Sequence, residues 1–190
     1  MKLEGTIFLG PPAPADFDWG QLPEELGMLL QLRNGVVAFH GGFHLRGVGD
    51  VPTWHDLMDV WTGPHALHKV YDAIAPTDVP FGQDCFGDQF ILRGGVVYKL
   101  NTELGHFEQM SEDLGAFLGA AIEEPVTYLD LEALDAFRED GEELEPGMLL
   151  HVDPPFSSDE AEDGITVSAM PCEERLEYLF DHYRRFMEQA

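Results

Sequence analysis

Between Phe86 and Leu118 the apolar positions change period part-way, from strand-like runs to a helical stripe. Gln89–Arg93 and Val96–Leu100 are β-rich runs flanking Gly94-Gly95, a two-residue loop free to take the positive φ angles of a tight hairpin turn. Asn101–Gly105 makes a polar turn, and His106–Met110 reads as a returning strand. Ser111 is placed to cap a following helix, with Glu112 and Asp113 suited to its positive N-terminal end. Leu114, Phe117, Leu118, Ala121 and Ile122 recur at helical spacing and predict one buried face.

Similar patterning extends over the rest of the chain. Gly5–Leu9 reads as a first strand, followed by a proline-rich turn. Pro23 suits the first turn of a helix that buries Leu22, Leu26, Leu29 and Leu30, and Asn34-Gly35 ends it through left-handed geometry. Val36–His40 and Phe43–Val48 predict two strands around Gly41-Gly42. Thr53–Asp56 has capping-box-like spacing ahead of Leu57, Met58, Val60 and Trp61, and His65–Asp72 suggests a short helical turn. Beyond the central block, Tyr128–Phe137 is helical in pattern, and Glu139–Glu145 is too charged for a core segment. Met148–Val152 and Ile165–Met170 read as strands around a polar acidic loop, Ser157–Gly164. Pro171 opens a last helix with Leu176, Leu179, Phe180, Tyr183 and Met187 at helical spacing. Short strands with tight hairpin glycines predict an α+β fold, a mostly antiparallel sheet packed against helices. No repeat or linker divides the chain, so a single domain over residues 1–190 is expected, with residues 1–20 able to stand as an N-terminal extension.

In several places this pattern resembles the SUKH superfamily, the Smi/Knr-like proteins. The resemblance lies in Phe86-Gly87-Asp88, Val97-Tyr98, the Asn101…Glu103…Gly105 turn and the Ser111…Leu114…Phe117-Leu118 helix. Upstream it includes Leu22-Pro23…Leu26…Leu30…Asn34-Gly35. Downstream, Leu144…Pro146-Gly147 and Pro154-Pro155-Phe156 with the final helix are similar to immunity domains paired with DNase toxins of type VI secretion. The order of these short motifs carries the likeness, which runs from about Leu22 to the C-terminus; Asn101 departs from it, since aspartate is frequent there in the family. The resemblance implies a SUKH-like binding protein with no catalytic group, acting as an immunity protein in the bacterial cytoplasm against a cognate toxin. The alternative it leaves open is a regulatory or scaffolding module without a toxin partner.

Charge sharpens that expectation. The 190 residues carry 36 Asp and Glu against 10 Lys and Arg, a formal charge of −26, and from Ala121 onward the balance is 20 acids to 4 bases. Such a chain is repelled by nucleic acid and by anionic lipid, so its expected partner is a basic protein. A 44% hydrophobic share suits an ordered core, and no apolar run approaches the ~20 residues of a membrane helix. Met1–Glu4 lacks the look of a signal peptide, and two cysteines, Cys85 and Cys172, are too few for a disulfide framework. A cytoplasmic location is therefore expected.

Candidate chemistry is thin by comparison. His65, His68 and Asp72 fall on one side of a helix, and His40 and His44 flank a glycine turn; neither set has a recognised metal-binding spacing. Cys85 follows Asp84, an acidic setting that does not favour a thiolate nucleophile. No nucleophile elbow, phosphate loop or dinucleotide fingerprint is present. Neither cofactor, metal nor enzymatic activity is expected. Asp84, Asp88, Glu103, Asp159, Glu160, Glu162 and Asp163 have no evident structural task in the sequence and are the expected contacts for a basic partner.

Overall fold

A computed structural model describes residues 3–189. Seven strands follow one another in chain order across an antiparallel sheet: β1 (Phe8–Leu9), β2 (Val36–Ala38), β3 (Phe43–Leu45), β4 (Val79–Asp84), β5 (Gln89–Arg93), β6 (Val96–Asn101) and β7 (His106–Ser111). Phe8 and Leu9 pair with Val37 and Val36, which brings the N-terminal segment into the sheet as an edge strand. The hairpin at Gly94-Gly95 forms as its residues predict, with φ of +59° and +89°, pairing Arg93 with Val96 and Gln89 with Leu100. The fold is α+β.

The two faces of this sheet differ in chemistry. Phe43, Leu45, Phe81, Phe90, Leu92 and Val97 join Leu26 and Leu30 of α1 (Glu24–Leu32) and Leu114, Phe117 and Ala121 of α3 (Leu114–Glu123) in the main core. On the opposite side, Ile91 and Leu100 pack with Val60 of α2 (Leu57–Trp61), Tyr71, and Tyr183 from the last helix, in a smaller core. Beside that smaller core the sheet is polar, as the next subsection describes. After α3 come α4 (Pro125–Tyr128) and α5 (Glu132–Glu139), then a separate hairpin of β8 (Met148–Asp153) and β9 (Thr166–Pro171) and a final helix α6 (Cys172–Gln189). The hairpin is tied to the main sheet where Leu150 N–H donates to Cys85 O at 2.7 Å.

Several local expectations are corrected. The cap of α3 is Asp113, whose carboxylate accepts the Ala116 N–H at 2.7 Å, because Ser111 is still paired with Val97 as the end of β7. Asp56 caps α2 through Met58 N–H, while Thr53–His55 forms a separate turn of 3-10 helix. Pro171 ends β9, and α6 begins at Cys172. The helical pattern over Tyr128–Phe137 breaks at Asp130, which takes φ +58° between α4 and α5. Leu144, inside the acidic run, is 4% exposed and part of the main core.

Candidate functional site

Two turns, β4–β5 and β6–β7, meet α6 and the start of the 156–163 loop, and three of the seven acids singled out from the sequence gather there. Asp84 is fully buried at the end of β4, where Oδ1 accepts the N–H groups of Phe86, Gly87 and Asp88 at 2.9–3.0 Å. Asp88 reaches across to the other turn, its Oδ1 accepting both the Thr102 N–H and the Thr102 hydroxyl at 2.8 Å. Glu103, 5% exposed, accepts the Ser157 N–H on Oε2 at 2.8 Å. Contrary to the sequence reading, all three acids have structural tasks: they fasten turn to turn and turn to loop.

Two cations sit among them. Lys99 Nζ lies 3.0 Å from Asp84 Oδ2, 3.3 Å from Asp130 Oδ2 and 3.8 Å from Asp88 Oδ2. The Asp84 contact is a close ion pair, and Lys99 supplies the charge that compensates Oδ2. Burial works against the ammonium, but Asp84, Asp88 and Asp130 outweigh it and hold the Lys99 pKa above the ordinary lysine value. Asp88 responds in the other direction: burial, reinforced by the Asp84 charge, pushes its carboxyl up to about 7. Arg175, 1% exposed on α6, donates through Nε to Phe86 O at 3.1 Å, and its Nη2 stands 3.9 Å from Glu103 Oε1. Lys99, Asp88, Glu103 and Arg175 line a pocket of about 330 Å³ with Phe86, Phe156, Asn101, Asp130 and Glu132 on its walls and rim, while Asp84 lies behind it.

The remaining acids of the expected partner surface lie just beyond. Asp159, Glu160, Glu162 and Asp163 form one exposed turn of 3-10 helix, and among the described residues none of them takes part in an ion pair. The structure thus divides the seven acids into a buried scaffold of three and an exposed loop of four, joined through the Glu103–Ser157 hydrogen bond.

A second polar cluster, not anticipated as a unit, crosses the other face of the sheet under α6. Arg46, 1% exposed, donates to Pro80 O, Gly82 O, Gln83 Oε1 and Gln89 Oε1, and among the described residues no carboxylate pairs with it. Burial lowers its pKa to about 10. His44 and His55 stack at 4.9 Å with Nε2 and Nδ1 2.7 Å apart, and burial depresses both, His55 to about 4. Gln83 links this pair to Cys172 Sγ at 3.2 Å. Alternation in β3 signals part of it: Phe43 and Leu45 face the main core, so His44 must face away.

The other candidates disperse. His65 pairs with Asp59 at 2.8 Å, and among the described residues His40 and His44 share no hydrogen bond and no three His, Cys, Asp or Glu side chains gather as a metal site. Cys85 and Cys172 are buried free thiols, and burial with the nearby Asp84 charge raises the Cys85 pKa. No described helix is long and apolar enough to cross a membrane. No family model matches the chain, and no curated protein matches it.

Proposed function

We propose that this chain is a SUKH-like binding protein that neutralises a basic, nuclease-type toxin by covering its phosphate-binding groove. The observation that carries this reading is the exposed turn Asp159–Asp163, four acids without an ion pair among the described residues, mounted beside a hydrogen-bonded polar scaffold. Further acids stand exposed, with no ion pair among the described residues, at Glu139, Asp140, Glu142, Glu143 and Glu145. A nuclease must concentrate positive charge to hold phosphates, so a preformed anionic surface is complementary to it. Electrostatic steering of such pairs brings association to about 10⁸–10⁹ M⁻¹s⁻¹ at low salt. The inhibition is steric occlusion and needs no chemistry from this chain.

The experiment is co-expression with a nuclease-type toxin whose gene is found beside this one. Protection of the host and a stable purified complex are expected. Survival no better than with toxin alone, together with no complex, would overturn the reading and favour a regulatory SUKH-like module whose partner is a host protein.

A further inference from the structure

The pocket beneath the β4–β5 and β6–β7 turns contains more hydrogen-bond acceptors than donors. Asp84, Asp88 and Asp130 all look to one ammonium, Lys99, and only Asp84 and Asp130 come within 3.3 Å of it. Glu103 is 5% exposed, yet among the described residues its Oε1 accepts no hydrogen bond, and its ion-pair partner, Arg175 Nη2, stands 3.9 Å away. Arg175 directs its other nitrogens to Phe86 O and to His151 Nδ1. Glu132 adds another carboxylate at the rim, and among the described residues it has no ion pair. An anionic guest would gain two cations and meet four lining carboxylates. A cationic guest would find Glu103 Oε1 open and Asp88 Oδ2 loosely held.

The walls favour the same guest. Phe86 and Phe156 meet edge-to-face with ring centroids 5.4 Å apart, and Phe156 is 49% exposed at the mouth. Aromatic faces attract desolvated cations. A volume of about 330 Å³ suits a slim chain carrying one charged head.

We infer that this pocket is a receptor for a slim organic cation, a guanidinium or primary ammonium on an unbranched stem, held by Glu103, Asp88 and the rim acids Asp130 and Glu132. That the head belongs to an arginine or lysine of the basic partner rests on the function proposed above; the preference for a cation rests on the pocket alone. Free polyamines carry the same chemistry, so the two sources need separate arms.

The test titrates agmatine and cadaverine into the protein, with glutarate and sodium chloride at matched ionic strength as controls, following the Thr102, Glu103 and Ser157 amides by NMR. Saturable shifts with a dissociation constant on the order of 1 mM are expected for the amines and none for glutarate. Asp130→Asn with Glu132→Gln should weaken agmatine about tenfold while leaving the fold intact, since both side chains are exposed and Asn tolerates positive φ at position 130. Glu103→Gln should weaken it further; if that variant fails to fold, the rim pair decides. Equal shifts from glutarate or salt, no saturation with either amine, or an unchanged constant in the rim variant would overturn the inference. Toxin complex formation without agmatine binding removes the receptor and leaves the acidic surface. Agmatine binding without a toxin complex does the reverse.

Discussion

Asp84 and Lys99 face each other with Oδ2 and Nζ 3.0 Å apart under the two turns that build the site, the carboxylate fully buried and the ammonium nearly so. The same carboxylate holds the β4–β5 turn with its other oxygen, accepting the N–H groups of Phe86, Gly87 and Asp88. Asp84→Ala therefore removes a turn anchor and half of a buried ion pair at once. A loss of about 3–5 kcal/mol is expected in urea unfolding. Asp84→Asn keeps an acceptor for the turn and should cost less, about 1–3 kcal/mol. Two variants of equal stability to wild type would show that the pair does not hold the turns.

Gly105 and Gly94 share a left-handed backbone, at φ +71° and +59°, but differ in what surrounds them. A Cβ at Gly105 would overlap the Tyr183 ring of α6, whereas a Cβ at Gly94 meets no atom within 4 Å. Gly94→Ala should cost only the conformational penalty, about 1–2 kcal/mol. Gly105→Ala should cost about 2–5 kcal/mol, because the conformational and packing terms add. Thermal melts of the two variants side by side check whether α6 is docked on the β6–β7 turn.

Much of this framework is written in local pattern. The hairpin around Gly94-Gly95, the α1 stripe, the Leu114, Phe117 and Ala121 face of α3 and the 176–183 face of α6 follow from residue spacing, because each depends on neighbours within a few residues; Ile122, expected on the buried face of α3, is instead 41% exposed at the end of the helix. The central strand β4 is the informative miss. Pro80 and Gly82 lie inside it, and both residue types argue against an interior strand. The structure accommodates them through a register shift between Val79 and Gly82, and Gly82 lets the His44 carbonyl of β3 approach closely. The site was partly legible for the same reason. The exposed acids at 159–163 behave as an acidic stretch suggests, and the Asp84 turn is local, within four residues; Asp88 and Glu103 acquire tasks only when residues further along the chain, Thr102 for one and Ser157 and Arg175 for the other, fold onto them.

Asp88 gives the stability a pH dependence of definite sign. Its carboxyl is raised from 3.8 to about 7 by burial and then by Asp84, against the pull of Lys99 and the two Thr102 hydrogen bonds. Asp130 shares Lys99, and Tyr71 and Arg175 also feel the Asp88 charge. The folded state thus binds the proton more tightly than the unfolded chain, and this contribution, full below about pH 4, is lost as pH rises through about 7. Buried His55, depressed to about 4, acts oppositely: its contribution is present above the ordinary histidine value of 6.5 and lost as pH falls through about 4. Asp88→Asn keeps the acceptor for Thr102 and removes only the first effect. Subtracting the variant's urea-unfolding profile from that of wild type should leave a stability difference that declines from pH 4 to 7. A flat difference would mean that Asp88 is charged throughout.

The exposed turn offers the cleanest separation of binding from folding. Asp159, Glu160, Glu162 and Asp163 are solvated and make no ion pair among the described residues, so converting all four to Asn and Gln should leave stability within about 1–2 kcal/mol of wild type. If the proposed basic partner binds here, its association rate should nevertheless fall about tenfold in low salt, because long-range attraction depends on net charge near the contact face. At about 1 M salt, where the Debye length is only ~3 Å, the rates of wild type and variant should converge. Stopped-flow association across a salt series distinguishes the outcomes. Convergence assigns the loop to steering; a rate difference that persists at high salt assigns it direct contacts instead; identical rates at low salt leave these acids as solvated surface and move the partner's docking face elsewhere on the protein.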